Sequence, residues 1–101
     1  MKKLVRDRIP EIVKSKGESF TCYVAGEEEY RESLLIKLLE ESKEAFEAKD
    51  ARQLKEEIAD VLEVVEALLA ANGFSEEEVR EIKEDKRNKR GGFAEKYIME
   101  M

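Results

Sequence analysis

The sequence contains no histidine and no tryptophan, and it has one cysteine and one proline among its 101 residues. Without histidine, the chain cannot build a Ser-His-Asp triad, a Cys-His pair or a histidine-ligated zinc site from its own residues. Cys22 alone cannot form an intrachain disulfide. Any catalysis by this chain therefore depends on carboxylates, lysine, arginine, tyrosine, serine, backbone groups and the metal ions that carboxylates recruit.

Long apolar runs are also missing from the sequence. No stretch approaches the roughly 20 apolar residues that a membrane-spanning helix needs. No apolar N-terminal run precedes a cleavage site either. We therefore expect a cytoplasmic protein with no membrane partner.

Charged residues make up 44% of the chain, hydrophobic residues make up 42%, and the net charge is -6. This composition is typical of a folded, helical domain rather than a disordered one, and the length predicts a single domain over residues 1–101. The acidic balance argues against a nucleic-acid partner, because phosphate backbones bind basic surfaces. A chain of this size buries only a modest core, so we expect a homodimer or a homotetramer.

Helical spacing of the apolar residues predicts an all-α fold: an antiparallel helical hairpin plus a third helix, with the bundle completed by oligomerisation. Asp50 followed by Gln53, and Ser75 followed by Glu78, are typical of helix starts. The predicted long helices, in chain order, cover residues 27–48, 51–71 and 76–89. The apolar stripe of the second consists of Leu54, Ile58, Val61, Leu62, Val65, Leu68 and Leu69.

The two ends of the chain carry weaker signals. Pro10 predicts the first turn of a short helix that ends near Gly17, and the composition of residues 20–24 favours an extended segment. The run at residues 6–8 is interpreted as surface charge, as a helix start or as a segment that closes a site. The apolar residues of the tail, 93–101, are expected to pack on the bundle or on a partner chain.

Four carboxylates flank the predicted seam between the first two long helices: Glu41 and Glu44 on one, Glu57 and Asp60 on the other. At about 100° per residue, Glu41 and Glu44 share a face with Lys37. Like charges in such a cluster repel one another, and a divalent cation relieves the repulsion. Oxygen ligands favour Mg²⁺, with Mn²⁺ as the alternative. The competing interpretation is that these are solvated flanking residues paired with lysines.

A basic segment ends the third long helix before Gly91 and Gly92. Within it, Lys86 and Arg90 share a face, with Lys83 close by. Lysine and arginine side chains neutralise phosphate oxygens. The candidate substrate-binding residues are therefore Lys83, Lys86 and Arg90 of this segment, together with Lys37 beside the carboxylates. The alternative is that these cations complement the helix dipole and that glycine ends the helix.

Four motifs follow one another along the chain: LVRDRIP at residues 4–10, KLLEESKE at 37–44, EEIADVL at 56–62 and KRGGF at 89–93. Together they resemble the all-α nucleoside triphosphate pyrophosphohydrolases, the MazG-like and phosphoribosyl-ATP pyrophosphohydrolase-like superfamily, and in particular its short house-cleaning branch. The resemblance extends over nearly the whole chain. We expect a single domain that lacks the extra domain of longer members. The sequence also has no histidine, a side chain that some relatives use near the base.

The resemblance implies hydrolysis of a standard or modified nucleoside triphosphate to a monophosphate and pyrophosphate, on an α-helical core that assembles as a dimer or tetramer. It implies that Glu41, Glu44, Glu57 and Asp60 bind Mg²⁺, and that basic residues of the third helix help to bind phosphate. For the mechanism, we expect Glu41 or Glu44 to orient or deprotonate the attacking water.

Two hypotheses from other classes remain beside this one. In the first, the chain is a non-catalytic helical module whose apolar stripes serve only dimerisation. In the second, it is a nucleotide-binding regulator that retains the fold without turnover. Metal-dependent release of pyrophosphate is expected only of the enzyme.

Overall fold

The computed structural model describes residues 2–101. These residues form four α-helices and no strand, so the all-α prediction is confirmed. The helices are α1 (Ile9–Ser15), α2 (Glu27–Phe46), α3 (Ala51–Asn72) and α4 (Glu76–Arg90). The three long helices lie close to the predicted ranges. The segment at residues 20–24 is irregular rather than a strand.

Side-chain caps fix the starts of α3 and α4. Asp50 Oδ1 accepts a hydrogen bond from the backbone N–H of Gln53 at 2.8 Å, and Gln53 Oε1 accepts one from Lys49 N at 3.1 Å. The Ser75 hydroxyl accepts from Glu78 N at 3.0 Å, while Ser75 N donates to Glu78 Oε1 at 3.0 Å. Both pairs satisfy backbone N–H groups that the first helical turn leaves free.

Gly73 ends α3 in the left-handed region, with φ at 68°. Glycine adopts this conformation without the steric penalty that a Cβ imposes. The turn is closed by backbone hydrogen bonds from Gly73 N to Ala70 O at 3.2 Å and from Phe74 N to Leu69 O at 2.9 Å. The chain then enters α4, every residue of which is exposed.

Among the described residues, α2 and α3 are the only helices that pack along an extended interface. The residues buried there are Leu34 and Glu41 of α2 and Val64 of α3, which are 3%, 7% and 7% exposed. The predicted stripe omitted Val64, whereas Leu62 is 60% exposed. A single partner helix covers only part of α3. Leu54, Ile58 and Leu62 of the predicted stripe therefore stay exposed. Its other members are half-buried: Val61, Val65, Leu68 and Leu69.

The N-terminal segment (residues 2–8) lies against both helices of this pair. Lys3 Nζ is 3.9 Å from Glu40 Oε2 on α2, and Arg6 Nη2 is 2.6 Å from Asp60 Oδ1 on α3. The short helix α1 follows it, with Pro10 in the first turn as predicted. The N-terminus therefore reaches the same part of the α2–α3 pair as the predicted carboxylate site.

The C-terminal tail does not pack on its own chain. Phe93, Tyr97 and Ile98 are 99%, 85% and 92% exposed. Packing of the tail on a partner chain stays a prediction. Within residues 2–101, none of the helices has the length and apolar character needed to cross a bilayer.

The cap of α3 yields a stability prediction. Asp50→Ala removes the acceptor for Gln53 N, so we expect the free energy of unfolding to fall by about 1 kcal/mol. Urea denaturation followed by circular dichroism measures the change. Lys55→Ala, at an exposed position of the same helix, is the control and is expected to stay within about 0.5 kcal/mol of wild type. Equal stability of Asp50→Ala and the control would contradict a stabilising role for the cap.

Candidate functional site

Three glutamates converge where α2 packs on α3. Glu41 and Glu44 of α2 and Glu57 of α3 each place a carboxylate oxygen within 4.8 Å of the others. The two residues of α2 share a face because they are one helical turn apart. These three, hereafter the glutamate trio, are drawn from the four carboxylates predicted to ligate metal.

Glu41 is the most deeply placed member of the trio. The residue is 7% exposed, and its Oε1 is 3.6 Å from Lys37 Nζ. Its other oxygen, Oε2, is buried and accepts no hydrogen bond from the described residues, and the same holds for Glu57 Oε2. Buried polar atoms are normally partnered, since an unsatisfied one loses its hydration without compensation. The trio therefore holds two buried oxygen atoms that accept no hydrogen bond from residues 2–101.

The electrostatics of the trio favour uptake of positive charge. Burial raises the pKa of Glu41 above its ordinary value, and the negative charges of Glu44 and Asp60 raise it further, whereas Lys37 opposes the shift. Burial also raises the pKa of Glu57, and contact with Glu44 adds to the effect. Both shifts have the same origin: a carboxylate that loses water beside other carboxylates binds a proton more tightly.

Asp60, the fourth predicted ligand, lies beside the trio but is engaged elsewhere. Its charge raises the pKa of Glu41 and Glu57, so it is near both. Its Oδ1 accepts a charge-assisted hydrogen bond from Arg6 Nη2 at 2.6 Å. Sequence reasoning gave Arg6 no specific partner. The LVRDRIP motif that contains it was the available signal, because it is one of the four motifs that carry the resemblance.

Of the predicted substrate-binding residues, Lys37 alone lies at the trio. Its side chain is 18% exposed, and its Nζ is 3.7 Å from Glu40 and 3.6 Å from Glu41. The ammonium group is thus already shared between two carboxylates, and it only partly offsets the charge of the cluster.

The other three predicted substrate-binding residues, Lys83, Lys86 and Arg90, lie on the exposed helix α4. Within residues 2–101, none of them forms an ion pair with the glutamate trio or Asp60. An open depression of about 420 Å³ beside Lys86 is lined by residues of α4 alone, so one helix cannot enclose a ligand there. One chain therefore does not bring these cations to the carboxylates.

The arrangement supports two kinds of chemistry. Three carboxylates with unpartnered oxygens form an all-oxygen donor set, the type that hard divalent cations accept. Without a cation, the raised pKa values of Glu41 and Glu57 favour uptake of a proton, which reduces the repulsion among the carboxylates.

No protein-family description, curated protein or solved structure matches this chain. Its function is therefore inferred from its own residues and from the motifs that carry the resemblance.

The raised pKa of Glu41 predicts a pH-dependent effect of Glu41→Gln on the metal-free protein. Because the folded-state pKa lies above the unfolded one, the stabilising contribution of the protonated acid is complete below the unfolded pKa. It is lost as pH rises through the folded pKa. At pH 7 the ionised side chain thus destabilises the fold, and we expect Glu41→Gln to be more stable than wild type.

Urea denaturation in chelator measures this effect at pH 7 and again at about pH 4, near the ordinary carboxyl pKa. The advantage of Glu41→Gln is expected to shrink at the lower pH. Glu63→Gln, at an exposed position of α3, serves as the matched control. A Glu41→Gln protein that is less stable than wild type at pH 7 would show that the trio is not under electrostatic stress.

Proposed function

We propose that this protein hydrolyses a nucleoside triphosphate to a monophosphate and pyrophosphate, with a divalent cation held by Glu41, Glu44, Glu57 and Asp60. The observation that carries the proposal is the buried, unpartnered Oε2 of Glu41 within the glutamate trio. A fold that buries a carboxylate among like charges needs a compensating positive charge. Mg²⁺ fits the oxygen donors, and Mn²⁺ is the alternative.

We infer that α2 and α3 form an antiparallel hairpin, the arrangement that presents the trio on both sides of one seam. A four-residue link, 47–50, joins the helices. Glu41 and Glu57 lie equally far along the chain from Lys49 in that link, and so do Leu34 and Val64. In an antiparallel pair, such positions face each other. The apolar pair would then pack together, and the acidic pair would face together, in agreement with their burial.

The roles within the site follow from exposure. Glu41 and Glu57 carry the buried oxygens and are assigned to cation binding. Glu44 is the exposed member of the trio, so in addition to its part in cation binding it can hold a solvent water in line with a phosphate and accept its proton. When bound, the cation supplies polarisation of phosphate oxygens and neutralises charge on the leaving pyrophosphate.

The choice of a nucleoside triphosphate as substrate rests on the resemblance carried by the four motifs. Among the predicted substrate ligands, Lys37 is the one that lies at the trio within one chain, where a bound phosphate could contact it. Contacts to phosphate from Lys83, Lys86 and Arg90 require a second chain or a different position of α4. If either holds, these three residues remain the proposed substrate ligands.

A homo-oligomer, dimeric or tetrameric, is part of the proposal. Apolar side chains of α2 and α3 remain outside the seam: Leu35, Leu39, Ile58 and Leu62 are 55%, 73%, 47% and 60% exposed. Exposed apolar groups are common singly, but a set on two adjoining helices is typical of an association surface. The same surface favours the second candidate function, a helical interaction module without catalysis.

Pyrophosphate release separates the two candidates. With a panel of nucleoside triphosphates, we expect wild-type turnover in Mg²⁺ and none in chelator. Glu41→Gln is expected to lower kcat/KM by about a hundredfold or more, since it removes a cation ligand and a charge at the reacting centre.

Glu63→Gln is the matched control and is expected to retain wild-type turnover, because the side chain is exposed and lies outside the trio. Circular dichroism checks that each variant stays helical. Turnover that survives chelation, or that is equal in Glu41→Gln and Glu63→Gln, would contradict the proposed role of the trio. Absence of turnover with every nucleotide would contradict the enzyme. Metal-dependent nucleotide binding would then favour the nucleotide-binding regulator, and absence of binding would favour the interaction module.

The oligomer prediction is tested by placing a charge on the exposed apolar surface. Leu39→Glu buries a carboxylate wherever a second chain covers α2, so we expect it to shift the protein toward monomer in sedimentation velocity. Val24→Glu, which is 96% exposed and outside the helix pair, is the control and should sediment as wild type. A wild-type protein that is monomeric at all concentrations would contradict the oligomer.

A further inference from the structure

The N-terminal segment (residues 2–8) brings positive charge to both sides of the carboxylate seam. Lys3 contacts Glu40, the neighbour of Glu41 on α2. Arg6 contacts Asp60, one helical turn beyond Glu57 on α3. The segment carries a further arginine, Arg8, but this residue pairs locally with Glu11 of α1 at 2.6 Å. Within the segment, Arg6 is thus the cation that engages a predicted metal ligand.

The contact between Arg6 and Asp60 is short and specific. Arg6 Nη2 lies 2.6 Å from Asp60 Oδ1, a charge-assisted hydrogen bond. The two side chains are 56% and 37% exposed, so solvent weakens the pair, and an exposed pair of this kind contributes little to folding stability. The ion pair is therefore more important for its location beside the trio than for its contribution to stability.

Asp60 lies outside the glutamate trio and is already bound by Arg6. The trio converges within 4.8 Å, and Asp60 is not part of that set among the described residues. The Glu41 side chain, 9% exposed, belongs to the trio and carries a buried oxygen that accepts no hydrogen bond from residues 2–101. A cation drawn to that oxygen attracts Asp60 as well, whereas the guanidinium of Arg6 holds Asp60 Oδ1. The two positive charges compete for one carboxylate.

We propose that Arg6 is a positioning residue that withholds Asp60 from the cation site until a divalent cation displaces it. The Arg6 guanidinium binds the Asp60 carboxylate while no divalent cation is bound. When the cation binds, Asp60 moves to it, and the guanidinium becomes free at the rim of the site. This inference rests on the proposed cation site at the trio, and it assigns a role to the LVRDRIP motif.

The test measures Mn²⁺ affinity by isothermal titration calorimetry without nucleotide. Because the competitor is removed, Arg6→Gln is expected to bind Mn²⁺ about three- to fivefold tighter than wild type, the range that an exposed ion pair allows. A residue with a merely structural role would lose affinity on substitution, not gain it. Arg6→Lys, which keeps the charge, is the second variant and is expected to fall between the two.

Arg8→Gln is the matched control, since it removes the same charge from a residue paired elsewhere. It is expected to leave Mn²⁺ affinity close to that of wild type. In an Asp60→Asn background, the gain from Arg6→Gln is expected to shrink to the level of this control, because no carboxylate remains to be released.

The outcomes distinguish this inference from the function on which it rests. Wild-type binding of Mn²⁺ with no gain in Arg6→Gln overturns the role of Arg6 alone. An equal gain in Arg8→Gln also overturns it, because the effect is then general electrostatics. Absence of Mn²⁺ binding by both wild type and Arg6→Gln overturns the proposed cation site and this inference with it.

Discussion

The structure depends on the burial of one carboxylate among others. Glu41 sits in the interface of α2 and α3, with Glu44 and Glu57 close by. An apolar residue at this position would avoid the electrostatic cost of burying a charge, yet the chain places there a glutamate whose Oε2 accepts no hydrogen bond from residues 2–101. Such a group is unfavourable for folding unless positive charge accompanies it. The site and the small core of this protein are therefore built from the same helix pair.

The rest of the chain is arranged loosely around this helix pair. With so few residues buried, one chain gains limited stability from apolar contacts. Apolar groups on α2 and α3 stay exposed, and α4 and the tail make little contact with the other helices. Association with a second chain would complete the core, and bound cation would relieve the trio. Both would raise stability through binding to the folded state alone, so we regard assembly and cation binding as two contributions to one native state.

Much of the local structure could be predicted because local rules determine it. Asp50 and Ser75 start their helices through hydrogen bonds to residues three positions away, and Gly73 ends α3 because it adopts a left-handed conformation. The convergence of Glu41 and Glu44 follows equally from helical spacing. The position of the buried strip on α3, by contrast, depends on long-range packing and was not predicted. Val64 is the α3 residue that becomes buried, and periodicity alone cannot locate the part of a wide apolar stripe that a partner helix covers.

Two features of the site could not be predicted from the sequence, because both depend on long-range packing. The partner of Asp60 is Arg6, which is distant in sequence and held there by the path of the N-terminal segment. Helix α4 follows the turn at Gly73 and forms no extended interface with the other helices across residues 2–101. Spacing cannot show that Lys83, Lys86 and Arg90 lie away from the glutamates in one chain.

The central claim is that the glutamate trio holds a divalent cation, and a crystal grown with Mn²⁺ tests it directly. Anomalous diffraction locates manganese independently of the protein atoms. We expect an anomalous peak among the carboxylates of Glu41, Glu44 and Glu57, at about 2.2 Å from their oxygens, as carboxylate ligation of such an ion requires. A crystal that shows manganese only at other sites, with these three carboxylates unliganded or paired with protein cations, would contradict the claim.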